Sequence, residues 1–366
     1  MIIETISDIH FGARDNSEKL YNELKNSFIS HCSEIHPDLI VICGDCYDKR
    51  VLIDSDANIY LNKFIHDCID TGATIIIFEG TDSHDRHQIN SFAHYVSDKF
   101  FIINTVKEIN VCGLNCLILP EEYVRDHSYY DDYINDDKKY DFVFGHGMFK
   151  HVSFNSIENK EYSRKPFTFD YLMFKDLVKY YVVFGHIHIH SEYKNKIIYN
   201  GSFSRLNFGE EEPKGWYEFD LNTKKGKCEY KFIENTFAPL FRTIQSSELP
   251  EETELLLNQL RGYSESNDYL RINIDCDISD AKYNTIYGFV KNHLNTVVKR
   301  KIKQSEEINT TKEINQSVKE KQEILNNKMK EYKGLNFYEI TQKMAKENYN
   351  ENIDQDYINK VLNTQI

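Results

Sequence analysis

A chain of 366 residues is long enough for a sizeable core and one or two accessory modules. With 40% hydrophobic and 13% aromatic residues it reads as globular, which excludes disorder as its main state. A formal charge of −14 excludes a protein that coats nucleic acid by bulk charge, but not an enzyme that meets phosphates at a local site. No stretch approaches the roughly 18 apolar residues of a spanning helix. The opening MIIETISDIH lacks the basic and apolar regions of a signal peptide. The eight cysteines are scattered, without a CxxC pair. These features predict a cytoplasmic protein with reduced thiols and no membrane partner.

In chain order, short apolar runs recur, each closed by Gly, Asp or His. They are 2–6 (IIETI), 39–43 (LIVIC), 74–78 (TIIIF), 142–144 (FVF) and 181–184 (YVVF). Continuous β-branched and aromatic runs of this length predict strands buried on both faces. Helical patterns over 17–35 and 57–70 lie between them, so the order predicts a layered α/β domain. Segment 113–120 reads as a further strand, and the acidic stretch 121–140 as a solvated loop and helix without chemistry. From 236 the pattern changes to β-α-β-α-β. LFRTIQ is followed by a helix over 251–262 with Leu255, Leu256 and Leu260 inward. DYLRINIDC, a helix over 280–294 and TVVKRKI complete the set. Residues 299–333 carry ten Lys or Arg against six Glu, as in a solvated helix or linker. Over 335–366 the pairs Ile340/Met344, Tyr357/Val361 and Ile358/Leu362 sit at helical spacing.

Five strand-end motifs supply side chains of metal-ligand type. They are Asp8-x-His10, Gly44-Asp45-x-x-Asp48, Ser83-His84-Asp85, Gly145-His146 and Gly185-His186-x-His188. One such motif is commonplace. Five in this order, each after a predicted buried strand, point to one site. Carboxylate oxygens together with imidazole nitrogens suit hard or borderline divalent ions. No thiolate stands at these strand ends, which argues against structural zinc. Two neighbouring ions need a shared carboxylate, and Asp45 is the natural bridge. Asp8, His10 and His188 would complete the first ion. His146 and His186, with an oxygen from the 81–83 loop, would complete the second.

The motif set resembles the calcineurin-like metallophosphoesterase superfamily over about residues 1–220. The run Tyr199-Asn200-Gly201-Ser202-Phe203-Ser204-Arg205-Leu206-Asn207-Phe208-Gly209-Glu210-Glu211, then Lys214-Gly215-Trp216, is similar to that of SbcD-type DNA repair nucleases. The resemblance implies an α/β fold, a two-sheet β sandwich flanked by helices, with a small α+β capping domain and C-terminal helices. It implies a nuclease domain over 1–235, a DNA-capping domain over 236–303, a charged linker over 304–334 and partner-binding helices over 335–366. The implied activity is Mn²⁺-dependent exo- and endonucleolytic hydrolysis of DNA with two ions. The implied partners are DNA, a coiled-coil SbcC-like ATPase and a second copy of the chain in a homodimer. The richness in Lys, Asn, Ile and Tyr suggests an AT-rich genome such as a phage's.

The resemblance also assigns roles. Asp8, His10, Asp45, His146, His186 and His188 correspond to metal ligands, and His84 to the group that protonates the leaving sugar oxygen. Asp85 would orient His84, and Asp48 would support the ligands. Arg205 would contact a phosphate or hold the 201–211 loop, with a salt bridge to a loop carboxylate as the plainer reading. The family's usual Asn is missing from Gly80-Thr81-Asp82-Ser83-His84-Asp85. Counting back from His84-Asp85 puts Ser83 in its place as a metal ligand. Counting from Gly80 puts Thr81 there, and Asp82 is also within reach. Two other readings stay open: a phosphoesterase for a small ester, and a weakly active scaffold protein.

Overall fold

The structure is a computed structural model that describes residues 1–13, 17–124, 126–150, 167–264, 268–293 and 295–300. In chain order the strands begin with β1 (Ile2–Ile6), β2 (Leu39–Cys43), β3 (Thr74–Phe78), β4 (Phe100–Ile103), β5 (Lys107–Val111) and β6 (Leu114–Leu119). Next come β7 (Phe142–His146), β8 (Met148–Phe149), β9 (Thr168–Phe169), β10 (Val182–Gly185), β11 (Ser191–Tyr193) and β12 (Ile197–Tyr199). The hairpin β13 (Gly215–Asn222) and β14 (Lys227–Glu234) precedes β15 (Phe241–Gln245), β16 (Tyr269–Ile274) and β17 (Thr296–Arg300). Helices are α1 (Ser17–Leu24), α2 (Ser30–Ile35), α3 (Asp56–Asp70), α4 (Thr253–Ser264) and α5 (Asp280–Lys291). A π-helical turn over Lys25–Ile29 joins α1 to α2, so the expected 17–35 helix is present with one wide turn in it. Helix α3 is capped by Ser55, whose hydroxyl accepts from the Asn58 amide at 3.3 Å.

Among the described residues two six-stranded sheets run β14-β13-β1-β2-β3-β4 and β11-β12-β10-β7-β6-β5. Their inner faces meet in one core, where Ile3, Val41, Ile76, Tyr217 and Phe219 face Cys116, Phe142, Phe144 and Val183. The alternate residues Ile6, Ile40, Ile42, Ile75 and Ile77 pack outward against Leu20, Phe28, Leu61 and Phe64. Val143, Val182 and Phe184 pack outward on the other sheet, against Phe149, Phe169 and Phe174. Both faces of these strands are covered, and that is why they read as unbroken apolar runs. The two-sheet sandwich flanked by helices expected from the sequence is the fold observed.

Residues 236–300 have the expected strand and helix order and form a three-stranded sheet, β15-β16-β17. This module has its own core of Ile244, Leu256, Leu260, Leu270, Ile272, Ile286 and Phe289. Leu256 and Leu260 are fully buried, but Leu255, expected inward, is 54% exposed. The buried stripe on α4 runs through Leu256, Leu260 and the half-buried Leu257, and Leu255 falls on the other side of it. Met1–Val298 forms one compact unit. The expected linker and C-terminal helices lie outside the described residues. Among the described residues no helix is long and apolar enough to cross a membrane.

Candidate metal centre

The loops after β1 and β2 are zipped together by backbone bonds. Asp8 N donates to Gly44 O at 3.2 Å, His10 N to Asp45 O at 3.0 Å and Phe11 N to Cys46 O at 2.8 Å. Asp8, His10, Asp45 and His186 all take positive φ, at 50°, 56°, 50° and 90°. Left-handed backbone is costly for residues with a side chain, and such strain collects where geometry serves a site. Two glycines admit the crowding. A Cβ on Gly80 would lie 2.2 Å from Asp45 Oδ1, and one on Gly185 2.0 Å from Ser7 Oγ.

Two donor clusters result. In the first, His10 Nε2 and His188 Nε2 are 3.1 Å apart, and Asp8 Oδ1 lies 3.9 and 3.6 Å from them. Asp45 Oδ2 belongs to both clusters, 3.8 Å from His10 Nε2 and 3.3 Å from His146 Nε2. The Cys43 carbonyl lies 2.8 Å from His146 Nδ1. A carbonyl only accepts, so Nδ1 carries a proton and Nε2 is the nitrogen turned toward the cluster. His186 Nδ1 lies 2.9 Å from Glu121 Oε2. Thr81 closes this second cluster. Its backbone N donates to Asp45 Oδ1 at 2.6 Å, and its Oγ1 donates to Asp45 Oδ2 at 3.2 Å.

The electrostatics follow from this packing. Burial would raise Asp45, but the charges of His146 and His10 outweigh it and hold the carboxyl well below its usual range. Burial brings His10 down to about 4 against the pull of Asp45. Burial likewise opposes ionisation of Glu121, yet the His186 hydrogen bond and charge keep it below the ordinary value. Against burial, the neighbouring carboxylates pull His146 and His188 upward. Ionised carboxylates and imidazoles thus share a largely buried site, the oxygen and nitrogen set that a hard or borderline divalent cation takes in place of those protons. Neighbouring donors around an octahedral ion with bonds of about 2.1 Å lie roughly 3 Å apart, and the clustered distances run close to that. The residues fit a pair of divalent ions.

Several of the expected site residues stand apart from the clusters. Ser83 is exposed and stands outside both clusters, whereas Thr81 reaches Asp45. Counting back from His84-Asp85 does not reach the cluster, because Thr81 to Arg86 turns tightly, with His84 N and Asp85 N both bonded to Thr81 O. Asp82 is also exposed and pairs with Arg86 at 3.5 Å. Asp85 does not orient His84. It is fully buried and accepts from Tyr47 N at 3.1 Å and Gly80 N at 2.9 Å, tying two loops together. Burial, then the nearby Asp45, pushes it up to about 7. His84 is held instead by the Asp48 carbonyl at its Nδ1, with its ring 4.9 Å from that of His10. The Asp48 carboxylate stays 3.8 Å from His10 Nδ1.

Arg205 is buried, and among the described residues its guanidinium meets backbone carbonyls rather than a loop carboxylate. It donates to the carbonyls of Glu210, Glu212 and Ala238 at 3.1, 3.1 and 3.3 Å, and so holds the loop. Glu121 was missed altogether, in a stretch read as free of chemistry. The available signal was its place directly after strand β6, at the same sheet end as the other residues of the two clusters.

With this geometry in view, comparison with known proteins supports the class. No family model matches the chain. The chain is 24% identical over 274 residues to a curated relative, the SbcD component of the SbcCD nuclease from Staphylococcus epidermidis, covering 66% of this chain and 70% of that protein. Among solved structures, an archaeal phosphodiesterase aligns with 15% identity over 64% of this chain and all of that one, at a TM-score of 0.34. A Thermus thermophilus protein aligns with 13% identity over 63% of this chain and 98% of that one, at 0.38. The resemblance to SbcD-type calcineurin-like metallophosphoesterases, read first from the motifs, is borne out by the curated relative.

Proposed function

We propose that the chain is the nuclease component of a metal-dependent DNA-cutting complex and hydrolyses phosphodiester bonds with two divalent ions, Mn²⁺ foremost. It would work with an SbcC-like ATPase gripped by 335–366, and as a homodimer. The observation that carries this reading is the pair of donor clusters sharing Asp45. Asp8, His10 and His188 would hold one ion, and His146 and His186 the other. Such ions, when bound, supply Lewis acidity to phosphate oxygens and make a nucleophile available at neutral pH. The chain's own contribution is positioning and proton transfer. The Asp48 carbonyl takes the Nδ1 proton of His84 in a hydrogen bond, leaving Nε2 as the atom that gives a proton to the departing sugar oxygen. The core-bearing module over 236–300 supports a long polymeric substrate, since a small ester needs no such addition.

The test is cleavage of end-labelled double-stranded DNA with Mn²⁺, beside Asp45→Ala and a p-nitrophenyl phosphate assay, with and without the ATPase. Stepwise degradation lost by at least about a thousandfold in Asp45→Ala, roughly 4 kcal/mol of barrier, is the expected result. Turnover of the small ester alone would overturn the nuclease reading.

A further inference from the structure

The third motif lacks the neutral amide oxygen expected of it, and the fold brings an acid into the gap. Glu121 follows β6 and Pro120, and its side chain is 2% exposed. One carboxylate oxygen is fixed from outside: Tyr123 Oη donates to Oε1 at 2.9 Å. That bond turns Oε2 inward, 2.9 Å from His186 Nδ1. Thr81 Oγ1 lies 3.2 Å from Asp45 Oδ2 and 3.5 Å from each of Glu121 Oε2, His146 Nε2 and His186 Nδ1.

This is the pattern of an octahedral half-shell. A donor at one apex is a near neighbour of all four equatorial donors. Thr81 Oγ1 has that relation to one atom each of Asp45, Glu121, His146 and His186. Two of the equatorial edges are 3.3 Å (Asp45 to His146) and 2.9 Å (Glu121 to His186). We infer that Glu121 is a direct ligand of the second metal position, completing with Asp45, His146, His186 and the Thr81 hydroxyl a five-donor set. The inference rests on the two-ion reading above and deepens it. An ionised carboxylate takes the place of a neutral amide, so the second position carries more negative charge and favours a hard cation.

The competing role is a hydrogen-bond partner that only orients His186. Glu121→Gln separates the two, because its amide oxygen still accepts from an imidazole N–H but lacks the anionic charge. The measurement is Mn²⁺ titration of the full chain by calorimetry, with low-temperature electron paramagnetic resonance to detect the exchange-coupled pair. Wild type is expected to bind two Mn²⁺ per chain and give the coupled signal. Glu121→Gln is expected to keep the first ion, weaken the second at least tenfold and lose the coupled signal at stoichiometric metal. Ser83→Ala is expected to match wild type. Any smaller weakening in Glu121→Gln overturns the role of Glu121 as an anionic ligand while leaving the two-ion reading intact. Failure of wild type to bind a pair overturns both. Circular dichroism checks the fold. Should the Gln variant not fold, Glu121→Asp takes its place, keeping the charge but withdrawing the oxygen, with the same tenfold criterion.

Discussion

Single side chains away from the cluster carry consequences of their own. Glu4 is wholly buried on β1, with Oε1 3.4 Å from His31 Nε2, itself 3.0 Å from Glu218 Oε2. Burial pushes Glu4 up to about 7 despite His31. A raised carboxyl pKa means that the folded state holds the proton more tightly than the unfolded chain. Its stabilising contribution is complete below about pH 4.5 and is lost as pH rises through 7. Glu4→Gln, which never ionises, should gain on wild type by on the order of 3 kcal/mol across that window, less what His31 shares. Urea denaturation at pH 4.5 and 7.5 measures it, and a constant difference would refute it. In the site, His84→Ala should slow DNA cleavage by roughly a hundred- to ten-thousandfold. A p-nitrophenyl ester, whose leaving group needs no proton, should lose far less, so the ratio of the two rates tests the role. The sequence made Asp8, His10, Asp45, His146, His186 and His188 legible because each stands within a short motif at a strand end. Thr81 and Glu121 were not legible in the same way. Which residue of a tight turn points inward depends on its backbone bonds, and Glu121 has no second ligand beside it in sequence to draw notice.

Elements set where these residues stand. The central strands were legible because both faces are buried and the runs are unbroken. The β13–β14 hairpin was not, since β14 alternates Lys, Glu and half-buried residues at a sheet edge and offers no apolar run. The loop between β12 and β13 was legible as a motif, but its internal logic was not. Lys214 is 1% exposed, and its Nζ reaches His188 O at 3.0 Å, Glu212 Oε1 at 2.8 Å and Glu210 Oε2 at 2.9 Å. Glu210 in turn lies 4.0 Å from His188 Nδ1. Burial opposes its ionisation, but His188 and Lys214 hold its carboxyl down to about 2. Removing a buried cation strands its partners, at a typical cost of roughly 3–5 kcal/mol. Lys214→Met should therefore lower stability by about 3 kcal/mol in chemical denaturation. It should also weaken metal uptake at the first cluster, because the loop that steadies His188 loses its anchor. Full stability with normal uptake would show the lysine to be dispensable.

At the scale of the molecule, the same loop joins the sandwich to the 236–300 module. Arg205 donates to Ala238 O at 3.3 Å, the Phe208 ring lies 5.1 Å from that of Phe241, and the Arg271 guanidinium sits 4.4 Å over Phe208. Phe208 thus touches the first and second strands of the module, while Glu210, two residues on, faces the metal cluster. A stacked arginine of this kind is worth about 0.5–1 kcal/mol, and the aromatic pair a similar amount. Phe208→Ala should therefore leave the sandwich folded but loosen the module's seat. A substrate that spans both parts feels that loss, and one confined to the metal cluster does not. The expected outcome is a rise in KM for double-stranded DNA of about tenfold, the equivalent of roughly 1.4 kcal/mol, with p-nitrophenyl ester hydrolysis unchanged. An equal loss on both substrates would mean that the loop serves the cluster alone and that the module takes no part in holding DNA.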